Sequence, residues 1–312
     1  GVLVGVASKN SPEIVEQALA RTDLLVRASD LFPVEASWGP KSEAVGRILR
    51  AWNIGADSVV FIDDNAMEIE EVRRAHPGIE GILFPKQDPE AVYRLGYRLR
   101  DLFGKREVRE EDRIRSQSLR AAGELRKAEG ASPADMESFL RDAGAVLSLQ
   151  WRRPPLEPRI LELINKTNQF NINGRRYSEA EWNSYTAQPE ACVLVAEYSD
   201  KYGPLGKIAV LTGLRQGSRF RIDTWVMSCR AFSRRIEHHT LRDVFDRWQV
   251  AEVLVDFRPT ERNHPSAEFL APLGEPAPAG GLLITRDRFL ALCPPLYHER
   301  AGESQPAEPA AI

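Results

Sequence analysis

Residues 1–10 read "GVLVGVASKN", and the fold turns on what that stretch is. Val2, Leu3, Val4, Val6 and Ala7 form an apolar run without alternation, the pattern of a fully buried strand in a parallel sheet. Strands of that kind place function at their carboxyl ends, so Ser8, with Lys9 and Asn10, is expected at the mouth of a crevice. Ser11 and Pro12 suit the cap and first turn of a following helix. The chain opens on Gly rather than Met and is expected to be a fragment that begins inside a domain.

The same logic extends through the first third. Ile14, Val15, Ala18 and Leu19 repeat at helical spacing, and "TDLLVRAS" (22–29) reads as a short strand and turn. Behind Pro40, the residues Ala44, Val45, Ile48, Leu49 and Trp52 make one apolar stripe on a helix over 41–53. "DSVVFIDDN" (57–65) is another apolar strand, ending in acid. A helix through Ile69 and Val72, the strand "GILFP" (81–85) and a helix over 89–103 follow. Alternating strands and helices predict an α/β fold with a parallel sheet for 1–103.

Residues 104–135 are charge-dense and are expected to form a charged, solvated linker helix. The next part, 136–297, has apolar strands at "CVLVAEYS", "KIAVLTGLR", "FRIDTWVMSC", "AEVLVDF" and "GLLIT", with helices near 156–166 and 235–248. A mainly antiparallel run of strands interspersed with helices predicts an α+β domain of acyltransferase size. The tail, 298–312, has little to bury and is expected to be disordered.

The 312 residues allow two domains of ordinary size. Lys and Arg total 42 against 45 Asp and Glu, a net charge of -3, so no global field draws in nucleic acid or an anionic membrane. An anionic substrate must be met locally. Cys192, Cys229 and Cys293 are odd in number, far apart and free of any C-x-x-C pair, which argues against a disulfide framework or a zinc site and for a reducing, cytoplasmic setting. No apolar run approaches the roughly 20 residues that span a bilayer.

Three element ends in the first domain carry polar groups of one kind: Ser8 with Asn10, Lys41 at a helix start, and Asp63 with Asp64. In a doubly wound sheet these converge on one edge. A hydroxyl, an ammonium and paired carboxylates suit a phosphate with Mg²⁺, which takes one or two protein carboxylates plus substrate oxygens and water. Taken singly, a strand ending in Asp-Asp also occurs as a helix cap or a loop ion pair, and a lysine at a helix start is usually solvated.

As an ordered set, "VASKN", "WGPKSEAV" and "FIDDNAMEIEEVR" resemble motifs II, III and IV of the haloacid dehalogenase (HAD) superfamily, in particular the FkbH-like branch of its subfamily IIIC. The resemblance implies a HAD-like Rossmannoid sheet. It implies that Ser8 and Lys41 bind and steady a transferring phosphoryl group with Asn10 beside them, and that Asp63 and Asp64 hold Mg²⁺. Motif I, a strand ending D-x-D-N-T that carries the nucleophile, is absent from these residues. The chain is therefore expected to lack its first strand and to be inactive alone.

"ELINKTNQFNINGRRYSEAEW" and "IDTWVMSCRAFSRRIEHHTL" resemble the FkbH segments that follow the phosphatase-like part. Asn165, Asn168 and Gln169 could read a polar ligand by hydrogen bonds, or form a capped helix end with an Asn-rich turn. The turn at Arg230, Arg234 and Arg235 resembles the pyrophosphate-binding turn of GNAT acyltransferases, with Ser and Arg where that motif has glycines. A phosphopantetheine arm, with one phosphate, demands less of it than CoA. Asn263 matches a later GNAT segment, whereas Leu270 stands where a Tyr often serves as general acid. Cys229, beside Arg230 at a helix start, could carry an acyl group or could be packing.

The resemblance as a whole implies a Mg²⁺-dependent protein that takes 1,3-bisphosphoglycerate, a phosphorylated three-carbon substrate, and loads a glyceryl unit onto an acyl carrier protein in polyketide assembly. The alternatives are a plain HAD phosphatase, or a non-catalytic carrier-protein binding module with a vestigial HAD half.

Overall fold

A computed structural model describes residues 2–105, 108, 112, 114, 115, 119, 120, 133–278 and 280–301. The chain divides into two compact units, Gly1–Gly123 and Glu124–Ile312. The linker helix expected over 104–135 lies largely outside the described residues.

In the first unit, β1 (Val4–Ser8), α1 (Pro12–Leu19), β2 (Leu31–Ala36), α2 (Lys41–Trp52), β3 (Val60–Asp63), α3 (Ala66–Ala75), β4 (Glu80–Leu83) and α4 (Pro89–Phe103) alternate as expected. Asn65 caps α3 by accepting Met67 N–H at 3.0 Å, and Asp88 caps α4 by accepting Ala91 N–H at 3.0 Å. The strands form two parallel pairs, β1 with β2 and β3 with β4, and β1 and β3 share no ladder among the described residues. Both pairs lie on the same helical layer. Ala7, Val59 and Phe61 pack with Val45 of α2 and Val72 of α3, while Leu3, Ala7 and Phe32 pack around Ile48 and Trp52.

Two expectations change here. β1 is not fully buried: Val4 is 48% exposed and Gly5–Ser8 are intermediate. Among the described residues its one ladder partner is β2. The second strand is Leu31–Ala36 rather than a segment within 22–29, where Leu25 is fully exposed. Pro33 hid this strand from pattern reading; it falls where the β1–β2 register shifts between Val4 and Val6, an irregularity of the kind that accommodates a proline.

The second unit contains α5 (Pro133–Asp142), β5 (Val146–Arg152), α6 (Pro158–Lys166), β6 (Phe170–Asn171), α7 (Glu179–Thr186), β7 (Ala191–Asp200), β8 (Gly203–Gln216) and β9 (Arg219–Met227). It continues with α8 (Ile236–Trp248), β10 (Glu252–Val255), α9 (His264–Leu270), β11 (Glu275–Pro276), β12 (Leu282–Thr285), α10 (Arg286–Leu292) and β13 (Glu299–Arg300). Nine strands form one mixed sheet in the order β11-β12-β10-β9-β8-β7-β5-β13, with β6 paired to β9. The chain is thus α/β, with parallel pairs in the first unit and a largely antiparallel sheet in the second. Order extends past 297, because β13 adds a parallel strand to the edge of β5; residues 302–312 lie outside those described.

Alternate residues of β7, β8 and β9 feed two apolar layers. Leu194, Leu211, Phe220 and Trp225 meet α8 on one face, and Val193, Val195, Val210 and Val226 meet α6 and α7 on the other. The β8–β9 ladder shifts register between Thr212 and Gly213, and a Cβ at Gly213 would lie 2.3 Å from the Arg221 carbonyl oxygen and 2.5 Å from the Phe220 ring. Gly213→Ala is expected to destabilise the second unit by about 1–3 kcal/mol. A thermal or urea midpoint equal to that of the parent protein would contradict this close packing.

Candidate functional site

At the carboxyl ends of the first unit's strands the sequence gathers alternating charges. Asp63 closes β3 with its carboxylate 8% exposed, and Lys41, the first residue of α2, donates to its Oδ2. The other oxygen, Oδ1, accepts Asn65 N–H at 2.9 Å. An ammonium and an amide thus meet a carboxylate that has left water, as its burial requires.

Asp64 points elsewhere. It is more than half exposed and bonds Lys86, just beyond β4, at 2.9 Å; that lysine holds its carboxyl below the usual range. The two acids expected on one ion therefore part, and Asp63 alone stands with Lys41. Ser8 ends β1, its carbonyl accepting Ser37 N–H at 3.0 Å, and Asn10 turns its Oδ1 onto Ser11 N–H at 3.1 Å.

Ser42, Glu68 and Glu71, which the sequence reading did not assign, and Lys9, which it placed at the crevice mouth, complete this edge. Glu71 of α3 accepts both Ser42 Oγ–H at 2.6 Å and Ser42 N–H at 3.1 Å, which pins the first turn of α2; the Ser42 hydroxyl keeps its carboxyl below the ordinary range. Lys9 bonds Glu68 at 2.8 Å, tying the end of β1 to α3. Glu68 and Glu71 are three apart in "MEIEEVR" and so share a helix face, the one signal that could have found them.

Mg²⁺ asks for hard oxygen donors and keeps several waters. The Asp63 and Asp64 carboxylates are donors of that kind, each now paired with a lysine, so the residues fit the ion only where it takes the place of Lys41 or Lys86. Among the described residues, no cluster of three or more His, Cys, Asp or Glu is arranged to hold a metal.

In the second unit most of the expected ligand-reading groups are engaged internally. Asn165 of α6 spans to Tyr177, its Nδ2 donating to the carbonyl at 2.8 Å and its Oδ1 accepting the N–H at 3.0 Å. The Asn168 side-chain Oδ1 accepts a hydrogen bond from Arg176 at 2.5 Å. Asn263 is buried, donating to Asn171 O and Arg258 O at 2.9 Å each and accepting Thr260 N–H at 2.7 Å. Gln169 leads into β6.

The Asn263 bonds fasten a wedge in the sheet. β9 and β10 pair in parallel only over Arg219–Ile222, then part. The chain at 170–173 fills the opening: Ile172 N–H donates to Trp225 O at 3.2 Å and Arg258 N–H to Ile172 O at 2.9 Å.

The turn before α8 carries the arginines. Arg234 is turned inward, 2% exposed, paired with Asp200 at 3.4 Å, donating to Arg230 O at 2.8 Å and lying over the Tyr198 ring. Arg235, in the left-handed region with φ 57°, reaches Pro295 O at 2.8 Å. Arg230 is buried and reaches Ser228 Oγ at 3.3 Å. Cys229 is half-buried, in the single turn ahead of α8. Arg234 thus holds the turn from within rather than presenting its charge outward.

The sequence reading also missed His298, whose Nδ1 lies 3.4 Å from that of His239 of α8. Burial, with the second ring a lesser cause at His239, pushes each imidazole down to about 4 from 6.5.

No protein-family profile matches the chain, and no curated protein does. Among solved structures, it is similar to the N-terminal part of the protein BF1531 from Bacteroides fragilis, containing a phosphatase domain complexed with Mg. That likeness is 31% identical over 35% of this chain and 28% of that one, with a TM-score of 0.32. The chain thus spans under a third of that protein's length. It is also similar to the ribosomal-protein-S18-alanine N-acetyltransferase from Escherichia coli, with 13% identity over 44% of this chain and 90% of that one, TM-score 0.28. A third likeness, to the IAA acetyltransferase from Bacillus cereus, has 14% identity over 35% of this chain and 64% of that one, TM-score 0.25. Likenesses this distant assign no residue a role.

Removing the Lys41 ammonium leaves a buried carboxylate without its counter-charge, at a cost of roughly 3–5 kcal/mol. Lys41→Met should lower the urea midpoint of the first unit, and adding Asp63→Leu should restore most of it; a single variant as stable as the parent would contradict the pairing. For the two histidines, the unfolded chain takes up protons near pH 6.5 while the folded rings stay neutral to about 4. Their contribution is present above pH 6.5 and is lost as pH falls toward 4. His298→Phe should flatten that slope, and parallel slopes in denaturation series at several pH values would rule the pair out as its source.

Proposed function

We propose that this chain is an FkbH-like protein whose first unit handles a phosphoryl group and whose second unit handles an acyl thioester. In this reading it takes 1,3-bisphosphoglycerate and delivers a glyceryl unit to the pantetheine thiol of an acyl carrier protein in the cytoplasm. The observation that carries the reading is the Lys41–Asp63 pair at the carboxyl ends of parallel strands, where open α/β folds bind ligands.

Lys41 would orient phosphoryl oxygens, with Ser8 and Asn10 at the end of β1 completing the cradle. Asp63 would hold Mg²⁺, with Asp64 a more distant ligand; bound there, the ion would neutralise charge on the phosphate. A carboxylate nucleophile is not supplied by residues 2–105 at this edge. In the second unit Cys229 would carry the acyl group as a thioester, Arg230 and Arg235 would meet the phosphate of the pantetheine arm, and Gln169 would contact the arm.

The engagement of Asn165, Asn168, Asn263 and Arg234 within the chain favours a second reading, in which the second unit recognises the carrier without forming a covalent bond. The test is carrier loading in the full-length protein, read by mass spectrometry. Asp63→Asn and Cys229→Ser are each expected to abolish it. Loading unchanged in both ends the proposal, and loading lost only with Asp63→Asn selects the second reading.

A further inference from the structure

Lys9 follows β1 by one residue, and it is not an ordinary surface lysine. Its ammonium lies 2.8 Å from Glu68 Oε1 and 4.0 Å from Glu71 Oε2, so two acids on one face of α3 hold it across about sixty residues of chain. Glu71 also holds the first turn of α2 through Ser42, and α2 begins with Lys41. The same helix face therefore sets the positions of both ammonium groups. Asp63, the partner of Lys41, also acts electrostatically on Lys9, raising its pKa together with the larger effect of Glu68.

An ammonium has three donors, and the two glutamates use at most two. The Lys9 side chain remains 36% exposed, against 15% for Lys41. Lysines 9, 41 and 86 against Asp63, Asp64, Glu68 and Glu71 leave this edge one negative charge in excess. An anion is received here only where an ammonium is held out to it. Of the two ammonium groups that α3 positions, Lys9 is the more open.

We propose that Lys9 is a specificity residue that receives a second anionic group of the substrate, so that the site prefers small molecules carrying a carboxylate or second phosphate besides the phosphoryl group at Lys41. This rests on the phosphate reading of the first unit. A lysine, as a compact point charge on a flexible stem, tolerates variation in where that distal anion sits.

The experiment is calorimetric titration of the full-length protein, with Mg²⁺ in the buffer, against inorganic phosphate and against 3-phosphoglycerate, a phosphate ester that also bears a carboxylate. The parent protein is expected to bind 3-phosphoglycerate about tenfold tighter than phosphate. Lys9→Met should erase that margin while leaving phosphate affinity within about twofold, and Lys9→Arg should keep most of it. Circular dichroism of Lys9→Met confirms its fold, and should it not fold, Lys9→Arg and Lys9→Gln carry the comparison. Equal affinity of the parent protein for both probes, or equal losses for both in Lys9→Met, overturns the role of Lys9 alone. Binding of neither probe overturns the phosphate reading and this proposal together.

Discussion

A carboxylate drawn out of water must find a positive partner, and the Asp63–Lys41 pair is where that requirement organises the first unit. Asp63 comes at the end of an apolar strand, and Lys41 starts a helix whose apolar stripe packs on both strand pairs. The pair therefore joins the sheet layer to the helix layer at the end where strands run out. The bonds around it continue the same logic: Glu71 holds the turn after Lys41, and Glu68 draws in the end of β1. Lys9, Lys41, Ser42, Glu68 and Glu71 are thus each held by a partner from another element.

The second unit solves a different problem. Two parallel strands that part leave backbone groups without partners, and buried groups of that kind are costly. Here 170–173 enters the opening and supplies the missing bonds, while Asn171, Asn173 and Asn263 fasten it from their side chains. Phe170 fills the space beside Trp225, Phe232 and Phe269. Just ahead of the wedge, Asn165 and Asn168 bond Tyr177 and Arg176 within the same unit. The turn before α8 is held in the same manner, by Arg234 against Asp200 and Tyr198.

The order of elements was legible wherever apolar periodicity was strong, as in α2, α4, β7, β8 and β9, because burial of one face leaves its period in the sequence. Alternation of strand and helix was enough for the α/β class, and Lys41 and Asp63, twenty-two residues apart, do meet. β2 was hidden because Pro33 breaks the pattern of a strand, and only its register shift against β1 accounts for the proline. The short strands β6, β11 and β13 carry no period at all.

Tertiary structure alone decided which of two adjacent acids faces Lys41. Successive residues at a strand end point in different directions, so Asp63 goes inward and Asp64 out to Lys86. It also decided that Asn165, Asn263 and Arg234 bond within the chain and that Lys9 is held by α3. Sequence spacing records which face of its own element a residue occupies; the partner across the fold is chosen by how separate elements pack, and that choice leaves no local mark.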